Sequence, residues 1–527
     1  MNPGHSIGWW RRPGPLAAIL LVLLAPLLLP GLPPLTDLPG HVGRWHIATA
    51  DPASPLHRYY AVHWAWMGNL GTDLIALPLI PLVGPVAAAR LIAGLILLLT
   101  GAALLWLSRE VHGRVAPSLL FALPFAYGWP FQMGFVNFAL AQALGFAALA
   151  LWLRLARAGR LRLRALLFAP VGLVLWTAHS FGWGMFGLMA FAAELARLRA
   201  RDHPWPRAIG CAVVACLPLA LPALVMALGR PAGARASETG DWFNMGAKFL
   251  WLLSSLRDRW QAFDIASLLA PLMLIYIAAR DRRLGFSALL GWPALACAAA
   301  FLLLPRLLLG GSYVDMRMAP AIWMLALLAI RPPETARLAR MIALAGLAFV
   351  AVRTAGTMIS FAQRGAEQRA ELSALPAIPR GAAVLALVAR PCLTPWSDIR
   401  PEHLAAYAIL TRDAFVNEQW AIPGQHYLTI RHRRAMPFVA DPSQLAYPDG
   451  CREQGHGLSH ALAGFPRAAF THLWIIGHRL ADPRKSGLVT VWSNGRSGLY
   501  QVVGTAAMPR VEPQPEYRVR RGERAGT

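Results

Sequence analysis

Leu91-Ile92-Ala93-Gly94-Leu95-Ile96-Leu97-Leu98-Leu99-Thr100-Gly101-Ala102-Ala103-Leu104-Leu105-Trp106-Leu107 runs without a charge between Arg90 and Arg109. A stretch of that kind approaches the ~20 residues that carry a helix through ~30 Å of hydrocarbon. Residues 16–32 read the same way, and apolar runs recur through the first two-thirds of the chain. The whole is 527 residues, 56% hydrophobic and 14% charged, with mean hydropathy +0.45. That composition excludes a large soluble enzyme and describes a polytopic membrane protein.

The formal net charge of +24 is almost all arginine, since Lys248 and Lys485 are the only lysines. The arginines lie in short loops: Arg11 and Arg12, Arg109 and Arg114, a cluster from Arg154 to Arg164, another from Arg197 to Arg207, then Arg280 to Arg283 and Arg331 to Arg340. Such loops encode orientation in a membrane rather than affinity for nucleic acid, so no nucleic-acid partner is expected. With these loops cytoplasmic, the chain threads as about 11 transmembrane helices near 16–34, 86–107, 117–131, 134–153, 165–179, 181–196, 208–228, 266–279, 285–304, 318–330 and 341–360. The N-terminus is then inside and the C-terminus outside. Residues 74–83, broken by Pro78 and Pro81 and followed by Pro85, are too short to span and read as a re-entrant or interfacial piece of a large first outer loop, 35–85.

Past residue 360 the pattern changes. Strand-like runs at 382–388, 473–476, 488–492 and 499–503 alternate with Gly/Pro turns and a helical-looking segment at 401–409. The expected organisation is a transmembrane domain over 1–360, an extracytoplasmic α/β domain over 361–505 and a disordered Pro/Arg/Glu-rich tail over 506–527. Cys211, Cys216 and Cys297 fall in spans, whereas Cys392 and Cys451 are the two thiols of the outer domain. In an oxidising compartment such a pair suggests a disulfide. No metal-ligand spacing, glycine-rich phosphate loop or internal repeat is evident.

The polar residues suited to chemistry collect at the outer ends of the spans. Asp37, His41 and Arg44 fall at i, i+4 and i+7 of a helix that Thr36 or Asp37 can cap, with Arg58-Tyr59-Tyr60 later in the same loop. Gln132 and Asn137 flank a turn between spans, His179 ends another span, and Tyr313, Asp315 and Arg317 lie in a Gly310-Gly311-Ser312 loop just after Arg306. Each has a plain structural reading: a capped interfacial helix, turn residues, a rim ion pair between Asp315 and Arg317. Their convergence on one membrane face favours a shared site, because polar groups near a bilayer are costly.

Four short stretches resemble the C-type membrane glycosyltransferases (GT-C superfamily), in particular uncharacterised bacterial proteins of that kind. They are Asp37-Leu38-Pro39-Gly40-His41, Gly134-Phe135-Val136-Asn137-Phe138, His179, and Arg317-Met318-Ala319-Pro320. The resemblance implies a multi-pass protein of the bacterial inner membrane and a donor sugar carried on a polyprenyl phosphate. It also implies a first-loop acid serving as base or metal ligand, and an extracytoplasmic glycan, lipid or protein as acceptor. Asp37 matches that acid, but the second acid that often stands beside it is absent, and Asp51 and Asp73 are distant. A divalent metal therefore remains open. Transfer needs a base at the acceptor hydroxyl and cations at the departing phosphate. On residue chemistry Asp37 is the candidate base with His41 beside it, and Arg317, Arg306, Arg44 and Arg58 are the phosphate candidates. His179, Gln132, Asn137, Tyr313 and Asp315 are the substrate contacts, and the displacement is inverting. The rival readings are an inactive scaffold of the same shape that binds envelope glycans or partners, and a lipid or solute transporter.

Overall fold

The computed structural model describes residues 8–29, 31–228, 238–392, 396–451 and 456–503. The expected disordered tail, 506–527, lies outside them. Within them the first two-thirds is helical. Six helices are long and apolar enough to cross a membrane: Pro85–His112, Val136–Arg157, Leu161–Ala178, Trp205–Ala227, Gln261–Arg280 and Ala336–Ala377. Five shorter apolar helices, Pro13–Val22, Gly71–Val83, Met245–Leu256, Ala288–Leu303 and Met316–Ala329, fill in around them.

Local chemistry sets the breaks. Gly84, at φ +78°, ends Gly71–Val83, and Pro85 at the first helical position starts the next helix. That helix stops at left-handed Gly113. Aromatic rings close the core, with Trp152 edge-on to Phe168 at 4.9 Å. Leu82, Leu166 and Val214 lie well exposed on the outside, where lipid would cover them.

Two features depart from the threading. Residues 117–131 are not one span: they break into Leu119–Ala122, a 3-10 segment Leu123–Tyr127 and Trp129–Gln132. Pro117, Pro124 and Pro130 each remove a backbone donor there. Met245–Leu256 is an apolar helix that the threading omits. Residues 74–83 belong to a 13-residue helix, Gly71–Val83, whose first turn buries Asp73.

The helix Ala336–Leu372 runs on past residue 360 and delivers the chain to a seven-stranded sheet. Its strands are β2 (Ala383–Ala389), β3 (Phe415–Val416), β5 (Leu445–Tyr447), β6 (His456–Gly457), β7 (His472–Ile476), β8 (Leu488–Ser493) and β9 (Gly498–Val502). The order is β6-β5-β2-β7-β9-β8, with β3 beside the start of β2. β2, β3, β5, β6 and β7 are parallel, and β8 and β9 add an antiparallel edge. β2 reads Ala-Val-Leu-Ala-Leu-Val-Ala and is buried nearly throughout, as a central parallel strand must be. Cys392 and Cys451 are joined in a disulfide, with 5.7 Å between their Cα atoms.

The first outer loop is part of this layer. Its strand β1 (Tyr60–Val62) pairs antiparallel with β4 (Leu428–Ile430), and the Tyr60 hydroxyl donates to the Val416 carbonyl at 3.0 Å. The loop helix Leu38–Ala48 packs on the helix Ala406–Arg412 of the C-terminal region. The junction between the membrane helices and the sheet is thus built from both ends of the chain.

Candidate active site

Two of the short stretches singled out above form one unit at that junction. The Asp37 N–H donates to the Met133 carbonyl at 2.9 Å, and the Thr36 N–H to that of Gln132 at 3.3 Å. Gly134 makes the approach possible. It sits at φ +84°, and a Cβ on it would lie 2.6 Å from the Asp37 amide nitrogen. Asp37 precedes the helix Leu38–Ala48 as its N-cap residue, yet its carboxylate makes no capping bond. The carboxylate is left to face the C-terminal domain.

There it meets His403. Nε2 of His403 lies 3.8 Å from Oδ1 of Asp37 and 3.8 Å from Oδ1 of Asp441, and Nδ1 donates to Oε2 of Glu418 at 2.8 Å. His403 and Glu418 are both buried. Burial opposes charge on the imidazole, but the bond to Glu418 and the carboxylates of Asp37 and Asp441 raise its pKa to about 10. At neutral pH it is an imidazolium. Burial pushes the Asp37 carboxyl up to about 7; His403 pulls against the shift, Glu402 and Asp441 add to it, and Arg317 opposes it. A carboxyl titrating near neutrality is matched to general-base work. Trp420 lies with its ring centroid 4.3 Å from that of His403, and it fits because Gly40 has no side chain: a Cβ there would come 2.8 Å from the indole.

On the membrane side stands Arg317, its guanidinium 4.2 Å from the centroid of Phe135. Nη1 lies 3.1 Å from Nε2 of His179. His179 joins two helices in extended backbone, and its Nδ1 accepts the Phe181 N–H at 3.0 Å. Arg317 also donates from Nη2 to the Ser312 carbonyl at 3.2 Å, and its Nε has no hydrogen-bond partner among the described residues.

The other residues named from sequence are placed differently. Arg44 is wholly buried and bonds both oxygens of Asp73, which also accepts from Trp45, Asn137 and Tyr427. Breaking such a buried pair costs about 3–5 kcal/mol. Arg44 also donates to Nδ1 of His41 at 2.9 Å, and burial followed by the Arg44 charge holds His41 well below its usual pKa, hence neutral. Asn137 is taken up by Thr72, Asn69 and Asp73. Gln132 accepts from Arg400, which also donates to the Pro34 carbonyl and so clamps the sheet domain to the Asp37 loop. Arg306 pairs with Asp241 at 2.6 Å, and Arg58 lies over Tyr59 beside the Gly381 turn. Tyr313 stacks near Phe135. Asp315 does not pair with Arg317: it accepts from Lys248 at 3.1 Å and caps the Met316 N–H at 2.8 Å.

Sequence reasoning missed His403, Glu418, Asp441, Glu402 and Trp420. Glu402-His403 precedes a helix and Glu418-Gln419-Trp420 follows β3, and no local spacing ties either to Asp37. Among the described residues no group of three or more His, Cys, Asp or Glu side chains is arranged to hold a metal ion. Between Asp37 and Asp441 the positive charge is the His403 imidazolium.

No model of a known protein family matches the chain, and no curated protein does. Among solved structures it is similar to ArnT from Cupriavidus metallidurans bound to undecaprenyl phosphate, with a TM-score of 0.50 and 13% identity over 94% of this chain and 98% of that one. The likeness is one of fold. The chain shares the fold of that structure, a polytopic helical membrane protein carrying a C-terminal α/β domain.

Proposed function

We propose that this protein transfers a sugar from a polyprenyl-phosphate-linked donor to an extracytoplasmic acceptor at the junction of its two layers. The observation that carries the reading is the opposition of a near-neutral carboxyl, Asp37, to the buried guanidinium of Arg317, which His179 braces. The neighbour of like fold was solved with undecaprenyl phosphate, a ligand of the class this site suits. Asp37 takes the proton of the acceptor hydroxyl, the oxygen attacks the anomeric carbon, and the bond from that carbon to the phosphate oxygen breaks. The departing polyprenyl phosphate keeps the electron pair, and the Arg317 guanidinium, braced by His179, binds its charge. The His403 imidazolium holds the Asp37 carboxylate in place, and Glu418 fixes the ring. A single displacement of this kind inverts the anomeric centre.

The orientation that goes with this puts the N-terminus in the cytoplasm and the sheet domain outside the inner membrane of a bacterium, since the arginine-rich loops stay inside. Profiling lipid extracts of cells with and without the gene tests the reading. Loss of the gene should cause a polyprenyl-linked sugar to accumulate; unchanged lipid-linked sugars with an unchanged envelope would favour an inactive scaffold.

A further inference from the structure

Arg390 stands one residue beyond the carboxyl end of β2, and its N–H donates to the Ala446 carbonyl of β5 at 2.8 Å. The carboxyl ends of β2, β5 and β7 lie side by side there, the edge at which open α/β sheets bind ligands. The side chain is 7% exposed. Nη1 is paired with Glu402, while Nε and Nη2 are buried and bond nothing among the described residues. Those two nitrogens form the side-on edge of the guanidinium, whose parallel N–H bonds match a carboxylate or a phosphate. Buried charged donors left unbonded are unfavourable, and an incoming oxyanion would satisfy both.

Further arginines stand close by. Arg257, also buried, has its pKa lowered to about 10, by burial first and then by repulsion from Arg364 and Arg390. Tyr313, on the loop that carries Arg317, has its pKa raised by burial and then by the charge of Glu402, against which Arg306 and Arg390 pull. Glu402 ties the patch to the reaction centre: it pairs with Arg390 and its charge reaches Asp37.

We propose that Arg390 is a subsite for an oxyanion carried by the acceptor, so that the acceptor is an acidic glycan bearing a carboxylate or a phosphate. The inference rests on the transfer reading above and narrows it. The donor phosphate belongs at Arg317, on the membrane side; the sheet edge is left to the group that arrives from outside.

Binding to the full-length protein in nanodiscs provides the test, with glucuronate and glucose 6-phosphate as probes, glucose as the neutral control and undecaprenyl phosphate as the lipid arm. Both anionic sugars should bind and glucose should not. Arg390→Gln should weaken them by about tenfold or more, the loss expected for a charge-assisted bond. Glu402→Gln removes the competing carboxylate and should strengthen them, an outcome that does not depend on Arg390→Gln folding well. Undecaprenyl phosphate should bind both variants as it binds the parent. Equal binding of glucose and glucuronate, or anion binding that Glu402→Gln weakens, would overturn the proposal, as would a loss at Arg390→Gln confined to undecaprenyl phosphate. Asp37→Asn separates the two readings: it should bind glucuronate normally, and continued transfer by that variant would remove the catalytic reading while leaving the anion subsite to stand on its binding data.

Discussion

Nε2 of His403 lies 3.8 Å from Oδ1 of Asp37, joining a residue of the sheet domain to the loop after the first apolar helix. With Nδ1 bonded to buried Glu418, the imidazolium is held on both sides by carboxylates.

The pH dependence of stability follows from that contact. His403 titrates at about 10 in the folded protein against 6.5 when free, so its stabilisation is complete below pH 6.5 and is lost as pH rises through 10. Substituting His403→Gln should therefore cost most near pH 6, on the order of 3–5 kcal/mol because Glu418 is left buried and unpaired, and little near pH 10. Thermal unfolding of the two proteins across that range checks it. A difference independent of pH would show that the imidazole carries no charge.

Donor binding should depend on the shape of Arg317 as well as its charge. Arg317→Lys should weaken undecaprenyl phosphate, and Arg317→Ala should weaken it further, because lysine cannot supply a planar fork. Asp315→Ala should behave differently. It leaves buried Lys248 without its counter-charge, bonded only to the Phe301 and Leu304 carbonyls, and about 3–5 kcal/mol of stability should go with it. Lipid-binding and unfolding measurements on the three variants separate these roles.

Gly134→Ala tests the backbone that carries the base. The added methyl would have to occupy space 2.6 Å from the Asp37 nitrogen, at a φ that alanine disfavours. Displacing the carboxylate by about 1 Å is enough to cost on the order of 10²-fold in rate. Transfer at the parent rate by a folded Gly134→Ala protein would mean that Asp37 needs no such placement.

Orientation has its own test. A phosphatase reporter fused after Val503 should be active and a cytoplasmic fluorescent reporter at the same point dark. The reverse pattern would put the sheet domain with the arginine-rich loops and remove the extracytoplasmic acceptor.

Helices such as Pro85–His112 were legible in the sequence because a membrane span is written in one uninterrupted apolar run, and β2, β7, β8 and β9 because each is a short apolar segment between turns. The break at 117–131 was harder to see: Pro117, Pro124 and Pro130 sit in a stretch as apolar as its neighbours, and only their missing N–H groups distinguish it. The pairing of β1 with β4 left no trace, since three-residue strands far apart in the chain have no periodicity to match. The candidate site divides the same way. Asp37, His179 and Arg317 stand out as polar residues at apolar borders, and the structure brings them to one place. His403, Glu418 and Arg390 lie in a domain where polar residues are ordinary, and their relation to Asp37 exists only in three dimensions. Arg44 shows the converse, a residue with the right spacing whose charge is consumed by Asp73.

The most direct test of the account is transfer by Asp37→Asn. The change keeps size and shape but removes the base, and since burial raises the Asp37 pKa to about 7 from its usual 3.8, it also removes a carboxylate whose ionisation destabilises the fold as pH rises toward 7. The variant should be at least as stable as the parent at pH 8. In cells lacking the parent gene it should leave the polyprenyl-linked donor accumulated, with transfer reduced by about 10²–10⁴-fold. A well-folded Asp37→Asn protein that clears the donor at the parent rate would contradict the account.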